Sequence, residues 1–141
     1  MSLVVTVVAP TAPATAWSLW SDVGSWPVWN PECVSATLDG PAGEGTVLDL
    51  TLRHPRGREF ITRPRVSATV PGREFGWETR GLGFRATTHT TFAARGDDTL
   101  ITLRGDTVGP LAFTYRMTMT DRMLAVLYTR MLDALVDEVR S

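Results

Sequence analysis

The sequence contains no lysine: all 14 basic residues are arginine, and against 15 acidic residues they leave a net charge of −1 at pH 7. A chain so nearly neutral has no global field to draw in nucleic acid or an anionic membrane, so neither is expected as a partner. Cys33 is the single cysteine. That excludes an intrachain disulfide and argues against a secreted disulfide scaffold. The two histidines, His54 and His89, lie far apart and share no ligand spacing with Cys33, so no metal is expected. Gly40, Gly43 and Gly45 precede a strand rather than a helix N-terminus, so they form no phosphate loop, and no cofactor is expected. No apolar run approaches the roughly 20 residues that span a bilayer, which argues against membrane insertion. The segment Met1 to Pro10 lacks a basic n-region and reads as a strand, so a cytoplasmic location is the expectation.

What is present is ordinary globular material. The chain of 141 residues, 43% hydrophobic and 21% charged, fits one domain over 1–141 with a core of its own. Leu3 to Ala9 is β-branched and stops at Pro10, as a first strand would. Thr11 can cap a short helix holding Trp17, Leu19 and Trp20, and Ser25 can open a second through Trp26 and Trp29. Six extended runs follow, each ended by turn residues: Cys33–Leu38, Thr46–Arg53, Arg58–Val70, Glu74–Arg80, Phe84–Ala94 and Thr99–Val108. From Thr118 to Arg140 there is no glycine or proline. At ~100° per residue, Met123, Leu124, Leu127, Tyr128, Met131, Ala134, Leu135 and Val139 fall in one arc, the mark of an amphipathic helix. Leu132 and Val136 widen that arc into an apolar shoulder, which, with the outer sheet edge, predicts a homodimer. The reading is therefore α+β: a curved, seven-stranded antiparallel sheet around a long C-terminal helix, with two short N-terminal helices.

Alternation along the strands assigns the faces. Leu48, Leu50 and Leu52 share one face, as do Phe60, Thr62 and Val66, then Phe75, Trp77 and Thr79, then Phe84, Ala86, Thr88, Thr90 and Phe92. Nearly every charge falls on the other. An apolar cavity between sheet and helix is expected, lined by Trp29, Phe60, Trp77, Thr79, Thr88, Thr90, Phe92, Phe113, Tyr115, Met119, Met123 and Leu127. Such a lining takes flat, neutral, apolar molecules and supplies no evident acid, base or nucleophile. His54, in a Pro/Gly turn, and His89, alternating with Arg85 and Thr87, read as surface histidines. The five arginines from Arg53 to Arg65 read as an outer sheet face balanced by Glu59, Glu74 and Glu78. The tripeptides Arg95-Gly96-Asp97 and Arg104-Gly105-Asp106 read as coincidence.

The order of these elements, with Ala9-Pro10, Trp17 to Asp22 and Ser25-Trp26-Pro27-Val28-Trp29-Asn30-Pro31, resembles the START-like, or SRPBCC, superfamily. Gly45-Thr46, Pro71-Gly72-Arg73-Glu74-Phe75-Gly76-Trp77 and Gly109-Pro110-Leu111 fit its polyketide cyclase/dehydrase branch. The resemblance covers the whole chain. It implies a helix-grip fold and a pocket for lipids, sterols, aromatic polyketides or other apolar small molecules. Three functions follow. The first is a binding protein for an apolar or aromatic small molecule, favoured by the uncharged inner face. The second is a cyclase/dehydrase-type enzyme steering its substrate with threonines, Tyr115 or ordered water, implied by the resemblance. The third is a protein–protein regulatory module using the helix shoulder.

Overall fold

The computed structural model describes residues 2–141, except for the side chains of Tyr115, Arg116 and Thr118. Strand β1 (Ser2–Ala9) leads to helix α1 (Pro13–Ser21), a 3₁₀ turn (Val23–Ser25) and a single turn of helix, α2 (Trp26–Trp29). Then come β2 (Cys33–Leu38), β3 (Leu48–Arg53), β4 (Glu59–Thr62), β5 (Arg65–Val70), β6 (Glu74–Gly81), β7 (Phe84–Arg95) and β8 (Asp98–Val108). Helices α3 (Ala112–Thr118) and α4 (Asp121–Arg140) complete the chain.

All strand pairing is antiparallel, in the orders β1-β8-β7-β6-β5 and β2-β3-β4. The α+β, helix-grip architecture is as the sequence indicated, but the strand count is eight rather than seven. The expected single strand Arg58–Val70 breaks at Pro64. Proline has no N–H to give to a ladder, and it holds the preceding residue away from regular pairing. The chain nevertheless keeps its course past β3: Leu48 donates to the Pro64 carbonyl at 2.8 Å and Val66 to the Thr46 carbonyl at 2.9 Å. Val47 and Arg65 form the bridge that joins the two sheets. The first half of the broken strand thus stays on β3, while the second half transfers to β6.

This transfer opens a split. The ladder between β5 and β6 ends at Arg65–Glu78, so Thr79 to Gly81 have no β5 partner. Strand β4 pairs with β3 along one edge and has no ladder on the other among the described residues.

Helix α4 starts at Asp121, not Thr118. Thr120 is its cap, its side chain accepting from Met123 N–H at 3.2 Å. Leu124, Leu127, Tyr128, Met131 and Leu135 bury the predicted arc. Leu132 (0% exposed) and Val136 (8%) are buried as well, because β1, α1 and α2 enclose the helix beyond the width of the sheet face. The apolar shoulder expected there does not exist, and a homodimer loses the helical surface that motivated it. Helix α1 begins after Ala12 without a side-chain cap; Thr11 instead accepts from Thr99 Oγ1 through its carbonyl at 2.7 Å.

Helix α3 has no counterpart in the sequence reading. It is anchored to the β6–β7 hairpin by Leu111 N–H donating to the Gly83 carbonyl at 2.9 Å. The contact requires glycine at 109, which has φ +117° and where a Cβ would collide with that same carbonyl oxygen.

Candidate functional site

Tryptophan settles how much of the interior is empty. Trp20 enters from α1 and Trp26 from α2, both fully buried, and they meet with ring centroids 4.9 Å apart. Trp77, from the middle of β6, lies 6.1 Å from Trp20 and 5.8 Å from Trp26, and Tyr128 of α4 stands 6.4 Å beyond it. Each indole proton of the buried pair has a taker: Trp20 Nε1 donates to Thr90 Oγ1 at 3.2 Å, and Trp26 Nε1 to the Trp20 carbonyl at 3.0 Å. This aromatic block fills one end of the space between sheet and helix. Trp77 and Tyr128 continue toward the other end, where Trp26, Leu50, Leu52, Thr88, Leu127 and Met131 help to enclose a cavity of only about 30 Å³. That volume admits about one water molecule and no flat organic ligand.

The usable space lies further out, at the split in the sheet. There a cleft of about 610 Å³ is lined by Glu59, Phe60, Ile61 and Thr62 of β4 and by Arg63 just after it, with Thr79, Phe84 and Met119 also lining it and His54 and Arg58 at the turn before β4. Phe60, Thr62 and Thr79 belong to both walls and separate the open cleft from the inner cavity. The hydroxyls of Thr62 and Thr79 have no hydrogen-bond partner among the described residues. They are free to orient a ligand carbonyl or hydroxyl.

The expected site residues separate accordingly. Phe60, Thr79 and Met119 meet at the cleft; Trp77, Thr88 and Leu127 line the inner cavity with Phe60 and Thr79. Thr90 and Phe92 are buried in the core, Thr90 being taken by Trp20. Trp29 and Met123 pack part-buried against the core and line neither space, and the Trp29 N–H goes to Ser25 Oγ at 3.1 Å. Phe113 is exposed on α3. The Tyr115 side chain lies outside the described residues.

Sequence reasoning missed His54, Arg58, Thr62, Phe84 and Tyr128. Thr62, Phe84 and Tyr128 were legible as inward-facing; what was missing was their position beside empty space. His54 is a correction of another kind. Read as a surface residue, it is 5% exposed, with Nδ1 accepting from Arg56 N–H at 3.1 Å and its ring edge-on to Phe60 at 6.3 Å. The Pro/Gly turn folds the ring under instead of presenting it to water.

Two ionisable groups inside, Tyr128 and Cys33, are held neutral. Burial pushes the Tyr128 phenol up, outweighing its hydrogen bonds to Thr88, at 3.3 Å, and to Trp77. Burial likewise pushes the Cys33 thiol up to about 11, outweighing an opposing hydrogen bond with the Ser35 backbone. At neutral pH Tyr128 is a hydrogen-bond donor and Cys33 is not a thiolate nucleophile. Among the described residues, no three His, Cys, Asp or Glu side chains gather to hold a metal ion. No helix among them is long and apolar enough to cross a membrane.

Comparison with known proteins agrees with this fold. The fold is similar to a START superfamily protein from Mycobacterium smegmatis, with 18% identity, a TM-score of 0.78 and coverage of 99% of this chain and 97% of that one. It is similar to the Zhui aromatase/cyclase from Streptomyces sp. R1128, with 16% identity, a TM-score of 0.76 and coverage of 99% and 93%. Norcoclaurine synthase from Thalictrum flavum, solved with dopamine and hydroxybenzaldehyde, gives 17% identity, a TM-score of 0.74 and coverage of 99% and 86%. No curated protein sequence matches the chain. At these identities the structures show a shared fold and nothing finer. Residues 1–140 match the sequence profile described as polyketide cyclase / dehydrase and lipid transport, and the chain belongs to that family.

Proposed function

We propose that this protein binds an apolar or aromatic small molecule, of lipid or polyketide type, in the cleft where β4 and β6 part. The cleft itself carries the reading. Its volume of about 610 Å³ lies in the usual range for ligand sites, roughly 300–1,000 Å³. Phe60, Phe84, Ile61 and Met119 provide apolar wall, and two unpaired threonine hydroxyls provide orientation. Binding would draw mainly on apolar area removed from water, at roughly 25 cal/mol per Å² before the costs of association. Native mass spectrometry of the purified protein, searching for a co-purified small molecule, tests this, with Thr79→Phe as the blocked control. A retained molecule that the control also carries equally well would defeat the reading.

Tyr128 supports a second reading, a cyclase/dehydrase-type enzyme. Its phenol is the proton donor lining the inner cavity, deep to the cleft and adjacent to Thr88. A phenol held protonated can act through the one water that the inner cavity admits on the carbonyl of a substrate in the cleft, and so favour its enolisation. Under this reading Tyr128→Phe abolishes turnover of a bound poly-β-keto substrate while leaving its affinity unchanged. Under the first reading the replacement alters neither.

A further inference from the structure

We infer that the cleft selects apolar molecules bearing an acid group, with the carboxylate seated between His54 and Arg58; this rests on the reading of the cleft as a ligand site. His54 is fixed by its own turn. Its N–H donates to the Arg58 carbonyl at 2.6 Å, its carbonyl accepts from Gly57 at 2.8 Å, and its ring Nδ1 accepts from Arg56. With Nδ1 accepting, the ring carries its proton on Nε2. That nitrogen is buried and has no hydrogen-bond partner among the described residues, although the side chain lines the cleft. Buried donors are nearly always satisfied, and the exceptions call for an explanation. A ligand oxygen supplies one.

The charges around the cleft point to the same ligand. Arg63 is paired with Asp49 at 3.4 Å, and Glu59 with Arg53 at 3.5 Å. Arg58 has no ion-pair or hydrogen-bond partner for its guanidinium among the described residues. Among the described residues one cation is therefore left over in the lining, four residues past a buried donor followed by a self-bonded turn. An arginine fork beside an N–H donor matches a carboxylate, and the wall of Phe60, Phe84 and Met119 would carry the apolar remainder. The expectation of a site for neutral molecules alone, drawn from strand alternation, does not extend to this turn.

A matched pair of probes separates the claims: 2-naphthoic acid and its methyl ester, titrated by calorimetry at low and high salt. The acid should bind about tenfold more tightly than the ester at low salt, and that margin should shrink as salt screens Arg58. Arg58→Gln, an exposed position, should erase the margin by weakening the acid far more than the ester. His54→Phe, which keeps ring volume, should likewise reduce the margin; should that variant not fold, Arg58→Gln and the salt series decide alone. If the ester binds as well as the acid, the inference is overturned and the cleft remains a ligand site. If neither binds, the ligand-site reading fails and the inference with it. If the acid's advantage survives in Arg58→Gln, His54 and Arg58 are not its seat.

Discussion

Thr90→Val tests the assignment of Thr90 to the core. Thr90 and Trp20 are both 0% exposed, and the threonine hydroxyl is the acceptor for the indole proton. Valine nearly reproduces the shape of threonine and removes only that acceptor, leaving a buried N–H unpaired. The cost of such an orphan is about 1–3 kcal/mol. In a domain of this size each kcal/mol lowers Tm by roughly 2–4 °C. In a Trp20→Phe background there is no indole proton to strand, so the same change should cost close to nothing. The coupling between the two sites should therefore reach about 1–2 kcal/mol. Urea unfolding of the four proteins, followed by far-UV circular dichroism so that indole fluorescence does not interfere, measures it. Binding of an aromatic ligand by Thr90→Val should be unchanged. The reasoning is refuted if the valine variant loses ligand binding while its stability moves by less than about 0.5 kcal/mol. That result would place Thr90 at the ligand and not in the core.

Leu132→Ala should destabilise the protein by about 2–5 kcal/mol in chemical unfolding, the cost of a cavity at a fully buried position; a surface residue awaiting a partner would barely respond. Gly81→Ala should weaken ligand binding severalfold with little change in fold, because a Cβ at 81 would occupy the place of the Phe84 ring, which lines the cleft; unchanged affinity in fluorescence titration would show that Phe84 is not a wall of the site. Stability should also fall with alkaline pH. The Cys33 thiol ionises near 9.0 when exposed and near 11 when folded, and Tyr128 is shifted in the same direction. The unfolded chain therefore loses its protons first, and stability that is intact below pH ~9 declines as pH rises through ~9–11. Urea midpoints at pH 8 and pH 10.5 should differ less in Cys33→Ala than in the parent protein.

The sequence by itself determined the faces. Leu48, Leu50 and Leu52, and Phe75, Trp77 and Thr79, alternate with charged and polar neighbours, and a side chain on a strand has only two sides to choose from. The uninterrupted period of the last helix likewise required a sheet to cover it. Alternation says which way a side chain points and nothing about what fills the space it points into. Thr90 and Thr88 share one strand face, yet one is taken by an indole 70 residues away and the other by a phenol 40 residues away. The split at Pro64 was legible as a proline, but the sequence did not show that the strand would change partners there. His54 offered no signal, because in a turn burial is set by the path of the backbone and not by any period. Leu132 and Val136 stand at the margin of their helix's apolar arc, and only the approach of β1, α1 and α2 decided that they are core. Local period and turn chemistry depend on neighbours along the chain and were legible. The location of empty space depends on side-chain volumes that converge from distant segments, so only the tertiary structure decided it.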